Sequence, residues 1–276
     1  MQSSNPVFTR SEGFNGRNQT SYATFDQPGY GSPVTHTSAG TGRMTIDTVV
    51  QKTTMTLGVV VLTAAATWAL TGNPTDFGTS GSDAASQLYT LAIVGSLVGF
   101  VLSMVNSFKK VISPALVLAY AAFEGIAVGA FSKVIDSSFD QPNQHGIVVG
   151  AVLGTVAAVG GTLAAYKIFD IRVSNRFRSW VIGMMFGFVA VTLLDFVLGL
   201  FHSSIGFNGF GGLGILMSLV GLGLGVLMLI LDFDFVERGI AAGLPERESW
   251  RAAFGLTVTI VWIYIELLRL IAALRR

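Results

Sequence analysis

After a polar opening of 42 residues, apolar positions in this chain run in seven long blocks. They lie at 53–71, 87–106, 112–134, 146–168, 179–201, 211–231 and 250–272. Each is about 19 to 23 residues, enough to cross some 30 Å of hydrocarbon at 1.5 Å per residue. The pattern predicts an all-α integral membrane protein with seven transmembrane helices. Asp47 and Lys52 precede the first block, and Glu266 and Arg269 fall in the final turns of the last.

The short segments between blocks alternate in charge. Residues 107–111 hold Lys109 and Lys110, residues 167–178 hold Lys167, Arg172, Arg176 and Arg178, and residues 237–251 hold Glu237, Arg238, Arg247 and Arg251. Segments 72–86 and 202–210 hold no Lys or Arg, and 135–145 has only Lys133 nearby. Basic residues in short loops mark the cytoplasmic side. The expectation is a cytoplasmic N-terminus, an inner (plasma) membrane location and an outer C-terminus. Arg275 and Arg276 oppose that last placement, which leaves six spans with a re-entrant seventh as the alternative.

Residues 1–42 are rich in Ser, Gly, Asn, Thr and Pro without an apolar period, so they read as a disordered cytoplasmic tail ahead of a transmembrane domain at 43–276. No basic start followed by a short apolar core is present, so the first span serves as the targeting signal.

Composition narrows the class. Hydrophobic residues make up 51% of 276 and charged residues 12%, about half the share of a soluble domain. With a net charge of +1 there is no basic patch for nucleic acid, and with no cysteine there is no disulfide or thiolate metal site. The bilayer is the expected partner. No HExxH, Gly-x-Ser-x-Gly or Ser/Lys arrangement points to hydrolysis, so no enzyme activity and no resident cofactor are expected.

Small residues recur one turn apart at Gly125/Gly129, Gly150/Gly154, Gly183/Gly187 and Gly221/Gly225, a spacing that lets helices pack closely. The run from Gly209 to Gly214 matches GxGxxG, but no strand precedes it. The sequon at Asn18 falls in the tail. His145 and His202, near Asp136 and Asp140, read as solvated loop residues before they read as metal ligands.

Ionisable residues at membrane depth are expensive and mark functional sites. Glu124 lies about 16 Å into the third span, near the midplane, while Asp195 and Glu266 lie about 24 Å into theirs, in the outer third. Arg269, one turn beyond Glu266, is placed to form a structural ion pair with it. At the inner end of the sixth span, Asp232 and Asp234 point about 200° apart, so one should face the bundle and the other the interface. One reading is a chain of acids lining a polar path for cations or protons; the other is a set of separate interhelical hydrogen bonds. A midplane aspartyl protease would need two aspartates meeting, and Asp195 and Asp232 sit at opposite edges.

Two stretches carry a family resemblance: residues 229–271, and the pattern Pro114…Ala119-Tyr120-Ala121…Glu124-Gly125…Gly129. They resemble the Bax inhibitor-1 family in its bacterial YccA-like branch. The resemblance implies a central seventh helix wrapped by six others. It also implies a pH-sensitive calcium leak gated by an aspartate pair, one at the end of the sixth helix and one in the seventh. Asp232 matches the first position, and Thr259 stands where the second aspartate is expected. Other members are similar to modulators of a membrane-bound quality-control protease. The expected function is therefore a cation leak or transporter, with calcium the ion suggested and Asp232, Asp234, Glu124, Asp195, Glu266 and Thr259 as ion-binding or gating residues. The alternative is a non-conducting regulator that binds such a protease through the tail or through the 232–251 loop, where Pro245, Glu246, Arg247, Glu248 and Trp250 form a charged, aromatic-edged surface. Oligomeric state has no signature in the sequence.

Overall fold

The computed structural model describes residues 42–74, 79–139 and 146–275. The tail up to residue 41, the sequon at Asn18, Asp140 and His145 lie outside the described residues. Seven helices follow in order: α1 Ile46–Leu70, α2 Thr79–Phe108, α3 Pro114–Phe139, α4 Ile147–Ile168, α5 Asn175–Leu200, α6 Gly212–Ala241 and α7 Ser249–Leu274. All seven are long and apolar enough to cross a membrane, and α7 is one unbroken helix of 26 residues.

The helices overrun the apolar blocks because the polar residues at their ends find partners. α1 starts at Ile46, seven residues before its block, behind a Thr45 cap whose hydroxyl accepts from the Thr48 amide while Thr48 reaches back. α6 runs ten residues past its block to Ala241, through Asp234 and Arg238. Pro114 opens α3, where a missing N–H costs nothing. Gly146 caps α4 at φ 102°, a left-handed conformation that favours glycine.

α7 is the axis. It packs against α1, α3, α4 and α6, while α2 is attached chiefly through α3 and α5 chiefly through α6. Half of the apolar window of α3 and of α7 is buried, against 17% for α2 and α5. Trp180 and Phe186 of α5 and Phe100 of α2 project outward, the arrangement of a surface solvated by lipid.

Three of the four glycine pairs do what their spacing predicts. A Cβ on Gly125 would collide with Val60 and Thr63 of α1, and one on Gly129 would lie 2.6 Å from the Ala64 carbonyl. Gly221 and Gly225 admit Glu266 and Ile263 of α7, and Gly150 and Gly154 meet Ile271 and Leu267. Gly183 and Gly187 meet nothing within 4 Å, so this pair packs against no helix among the described residues. The GxGxxG run is the turn into α6, with Gly211 as its cap.

The basic segments gather at one end. Arg251 donates to the carbonyls of Lys109 and Lys110, Arg247 to that of Ile112, and Arg238 to that of Val173. The chain just before α1 joins them there, with the Met44 amide on the Leu244 carbonyl and the Glu246 amide on that of Gly42.

Candidate functional site

Asp232 stands on α6 nine residues from Ala241, about 14 Å inside the helix end. Its carboxylate faces α7, where the Thr259 hydroxyl donates to Oδ2 at 2.6 Å. Thr259 is ten residues into α7, about 15 Å from its start. One turn before Thr259, a Cβ on Gly255 would lie 3.5 Å from Oδ1. Gly255 and Thr259 thus make a niche on one face of α7, open at the first and closed by a hydroxyl at the second. Thr259 is the single hydrogen-bond partner of Asp232 among the described residues.

Asp234 has the opposite surroundings. Turned about 200° from Asp232, it receives Arg178 of α5 at 2.8 Å and Arg238, one turn along α6, at 2.9 Å. Arg238 also donates to the Val173 carbonyl at 2.6 Å, which ties the α4–α5 turn to α6. Asp234 is 5% exposed, so it does not face the interface as its angle suggested. Its charge is met by two guanidinium groups that lie half in and half out of the protein, and a carboxylate so held is a clamp.

The outer end holds a second set of fixed acids. Asp195 accepts from the backbone amides of Ile205, Gly206 and Asn208 at 2.7, 3.1 and 2.8 Å, which folds the α5–α6 loop around a buried carboxylate. Arg269 donates to the Phe207 carbonyl of the same loop at 3.2 Å and reaches Glu266 at 3.5 Å, the pairing their spacing predicted. Glu266 also fills the space left by Gly221. Asp195 and Glu266 make no hydrogen bond with each other among the described residues; each serves its own part of the loop and the α6–α7 seam.

Glu124 is elsewhere again. Its Oε2 rests against Gly99 of α2, 2.9 Å from where a Cβ would be. It faces the α2–α3 interface, and no hydrogen bond joins it to the other acids. Of the six residues expected to line one path, the structure brings together only Asp232 and Thr259.

Sequence reasoning missed the polar ladder between α1 and α7. Thr48 pairs with Ser249 at 2.8 Å, Lys52 with Glu246 at 2.8 Å, and Thr56 with Thr257 at 2.8 Å. A polar residue every fourth position in an apolar helix was the available signal. The ladder also corrects the reading of the 232–251 loop as a free charged surface, because Glu246, Arg247, Glu248 and Arg251 are spent on bonds within the protein. Above the ladder, α1 and α4 part to leave a groove of about 400 Å³ with Val60, Val61, Ala64, Val152 and Val156 as walls and Ile260 and Tyr264 as floor.

Six apolar helices around a central seventh, with acids inside and basic loops gathered at one end, define a multi-pass α-helical membrane protein. The chain belongs to the Bax inhibitor 1 like family, whose sequence model matches residues 5–276. No curated protein matches it.

Proposed function

We propose that this membrane protein is a closed cation leak of the YccA-like type, with Asp232 as the ion-facing group and Thr259 as its latch. One observation carries the reading: the Asp232 carboxyl, at the inner end of the sixth apolar block, is held by a single neutral hydroxyl, while Asp195 and Asp234 have two or more fixed donors each. A charge among membrane helices is costly unless it is matched. A cation entering beside Gly255 would compete with the Thr259 hydroxyl for the carboxylate. Calcium, the ion the resemblance suggests, takes six to eight oxygens. One aspartate and one hydroxyl supply too few to retain it, which suits passage and not storage. Since Thr259 replaces the second acid of the pair, any pH response of the latch belongs to one titrating group.

The gathering of Lys109, Lys110, Arg172, Arg176, Arg247 and Arg251 at the end where α1 begins supports a cytoplasmic N-terminus in an inner membrane. The test is flux into proteoliposomes enclosing a calcium dye. Wild type is expected to exceed protein-free vesicles, and Asp232→Asn is expected to fall to their level. Equal flux with and without wild-type protein would end the proposal.

The regulator reading has its own support in the groove between α1 and α4, whose apolar walls fit a single membrane helix of a partner such as a quality-control protease. On that reading Val61→Trp, which fills the groove, abolishes partner capture and leaves flux unchanged.

A further inference from the structure

Ahead of α1 runs a short strap, residues 42–45, that neither the latch nor the clamps use. Gly42, Arg43 and Thr45 are exposed, while Met44 is 2% exposed. Two backbone hydrogen bonds pin the strap to the α6–α7 turn: the Met44 amide donates to the Leu244 carbonyl at 2.8 Å, and the Glu246 amide to the Gly42 carbonyl at 2.8 Å. Arg43 and Pro245 stand opposite each other in this antiparallel bridge. So short a pairing, with one buried side chain, can open locally while the helices stay folded.

Met44 lies at the basic end of the seam between α6 and α7. A Cβ on Gly239 of α6 would lie 3.0 Å from its sulfur and 3.3 Å from Leu244. Gly239 is seven residues after Asp232, two helical turns, so the two share a face of α6 about 10 Å apart. On α7, Ala252 is seven residues before Thr259 and shares its face in the same way. Ala252 belongs with Met44 to one buried apolar cluster, together with Leu229, Leu256 and Ile263. The helix faces that meet at Asp232 and Thr259 thus continue two turns toward the basic end, and there Met44 is packed.

We propose that Met44 is a plug in series with the latch: it closes the α6–α7 seam on the basic-loop side of Asp232, and an ion passes only when the strap lifts. The inference rests on the leak reading for its ion, and on packing alone for the plug. The chemistry suits a stopper. A thioether is a soft ligand, while a hard cation such as calcium takes oxygens, so Met44 offers a passing ion nothing to bind.

The chain has no cysteine, so introduced thiols are the only ones present. In Arg43→Cys/Pro245→Cys the two thiols face each other across an antiparallel pair, whose Cα spacing of about 4.5 to 5.5 Å suits a disulfide. In proteoliposomes the oxidised pair is expected to bring calcium flux down to the level of protein-free vesicles, and reductant to restore it. Met44→Ser is expected to raise flux about tenfold, the change that losing one buried methionine contact makes to an opening equilibrium, while Met44→Leu stays near wild type. A second readout needs no flux. In Asp232→Cys a soluble maleimide reaches the thiol only when the way past Met44 is open, and adding Met44→Ser is expected to speed labelling about tenfold. Equal flux from the oxidised and reduced pair overturns the plug, and so does equal labelling with and without Met44→Ser. If wild-type flux matched that of protein-free vesicles, the leak reading would fall and the labelling would still decide the plug. The disulfide keeps the strap docked, so its result stands even where Met44→Ser fails to fold.

Discussion

Asp232 and Asp234 leave α6 two residues apart and meet different chemistry. On one side of the helix two guanidinium groups take both oxygens of Asp234, and one of them, Arg238, is anchored in turn on the α4–α5 turn. On the other side a threonine hydroxyl alone meets Asp232, next to a glycine. The same functional group is thus a fastening in one place and an acid with one neutral partner in the other. The difference lies in what the neighbouring helix presents: α5 brings Arg178, and α7 brings Thr259 and Gly255. A carboxylate with matched charges resists change, while one held by a single neutral donor can exchange that donor for an ion or a proton.

Four substitutions break or sharpen this contrast. Asp234→Ala is expected to have the largest effect on folding, about 3 kcal/mol, because it strands two arginines; their contact with water keeps the figure at the low end for a broken buried pair. Thermal unfolding of purified protein measures it, and flux per folded molecule should persist. If flux vanished instead while stability held, the two aspartates would have exchanged roles.

Thr259→Asp should cost about 2 kcal/mol at a pH where both carboxyls ionise, since like charges at contact distance repel. It also converts a one-group pH dependence of flux into a steeper two-group one. A pH profile identical to wild type would remove Asp232 and Thr259 from the gate.

Thr259→Val deletes one hydrogen bond at constant shape, for a loss of about 1 kcal/mol, and is expected to raise the leak because the latch is gone. Unchanged flux would mean that the hydroxyl holds nothing shut. The smallest change is Gly255→Ala. Its new methyl meets Asp232 at an ordinary contact distance of 3.5 Å, so stability should move by less than about 0.5 kcal/mol. A large fall in calcium flux from that methyl would locate the ion path beside Oδ1.

The expectation that the interior acids share one wet space was legible only in part. Their depth followed from counting residues along helices. Their direction did not, because rotation about a helix axis is set by which neighbour packs where. Asp195 reads in sequence as an acid in the outer third of its span and is in fact the core of a loop, held by amides ten to thirteen residues downstream. Backbone donors have no sequence signature. Arg178 and Asp234 are 56 residues apart, and nothing local couples them. The Glu266–Arg269 pair was readable because both partners lie on one helix within a turn.

By itself the sequence determined that seven segments are long and apolar enough to cross a membrane and which of their ends carry the basic loops. These follow from hydropathy, length and charge, properties that each segment carries alone. Only the tertiary structure decided that α7 is the axis, that Gly125 and Gly221 are close approaches while Gly183 is not, and that Asp232 meets the neutral hydroxyl of Thr259. A helix can turn any of its faces to a neighbour at little local cost, so its rotation and its partners are settled by the packing of all seven together.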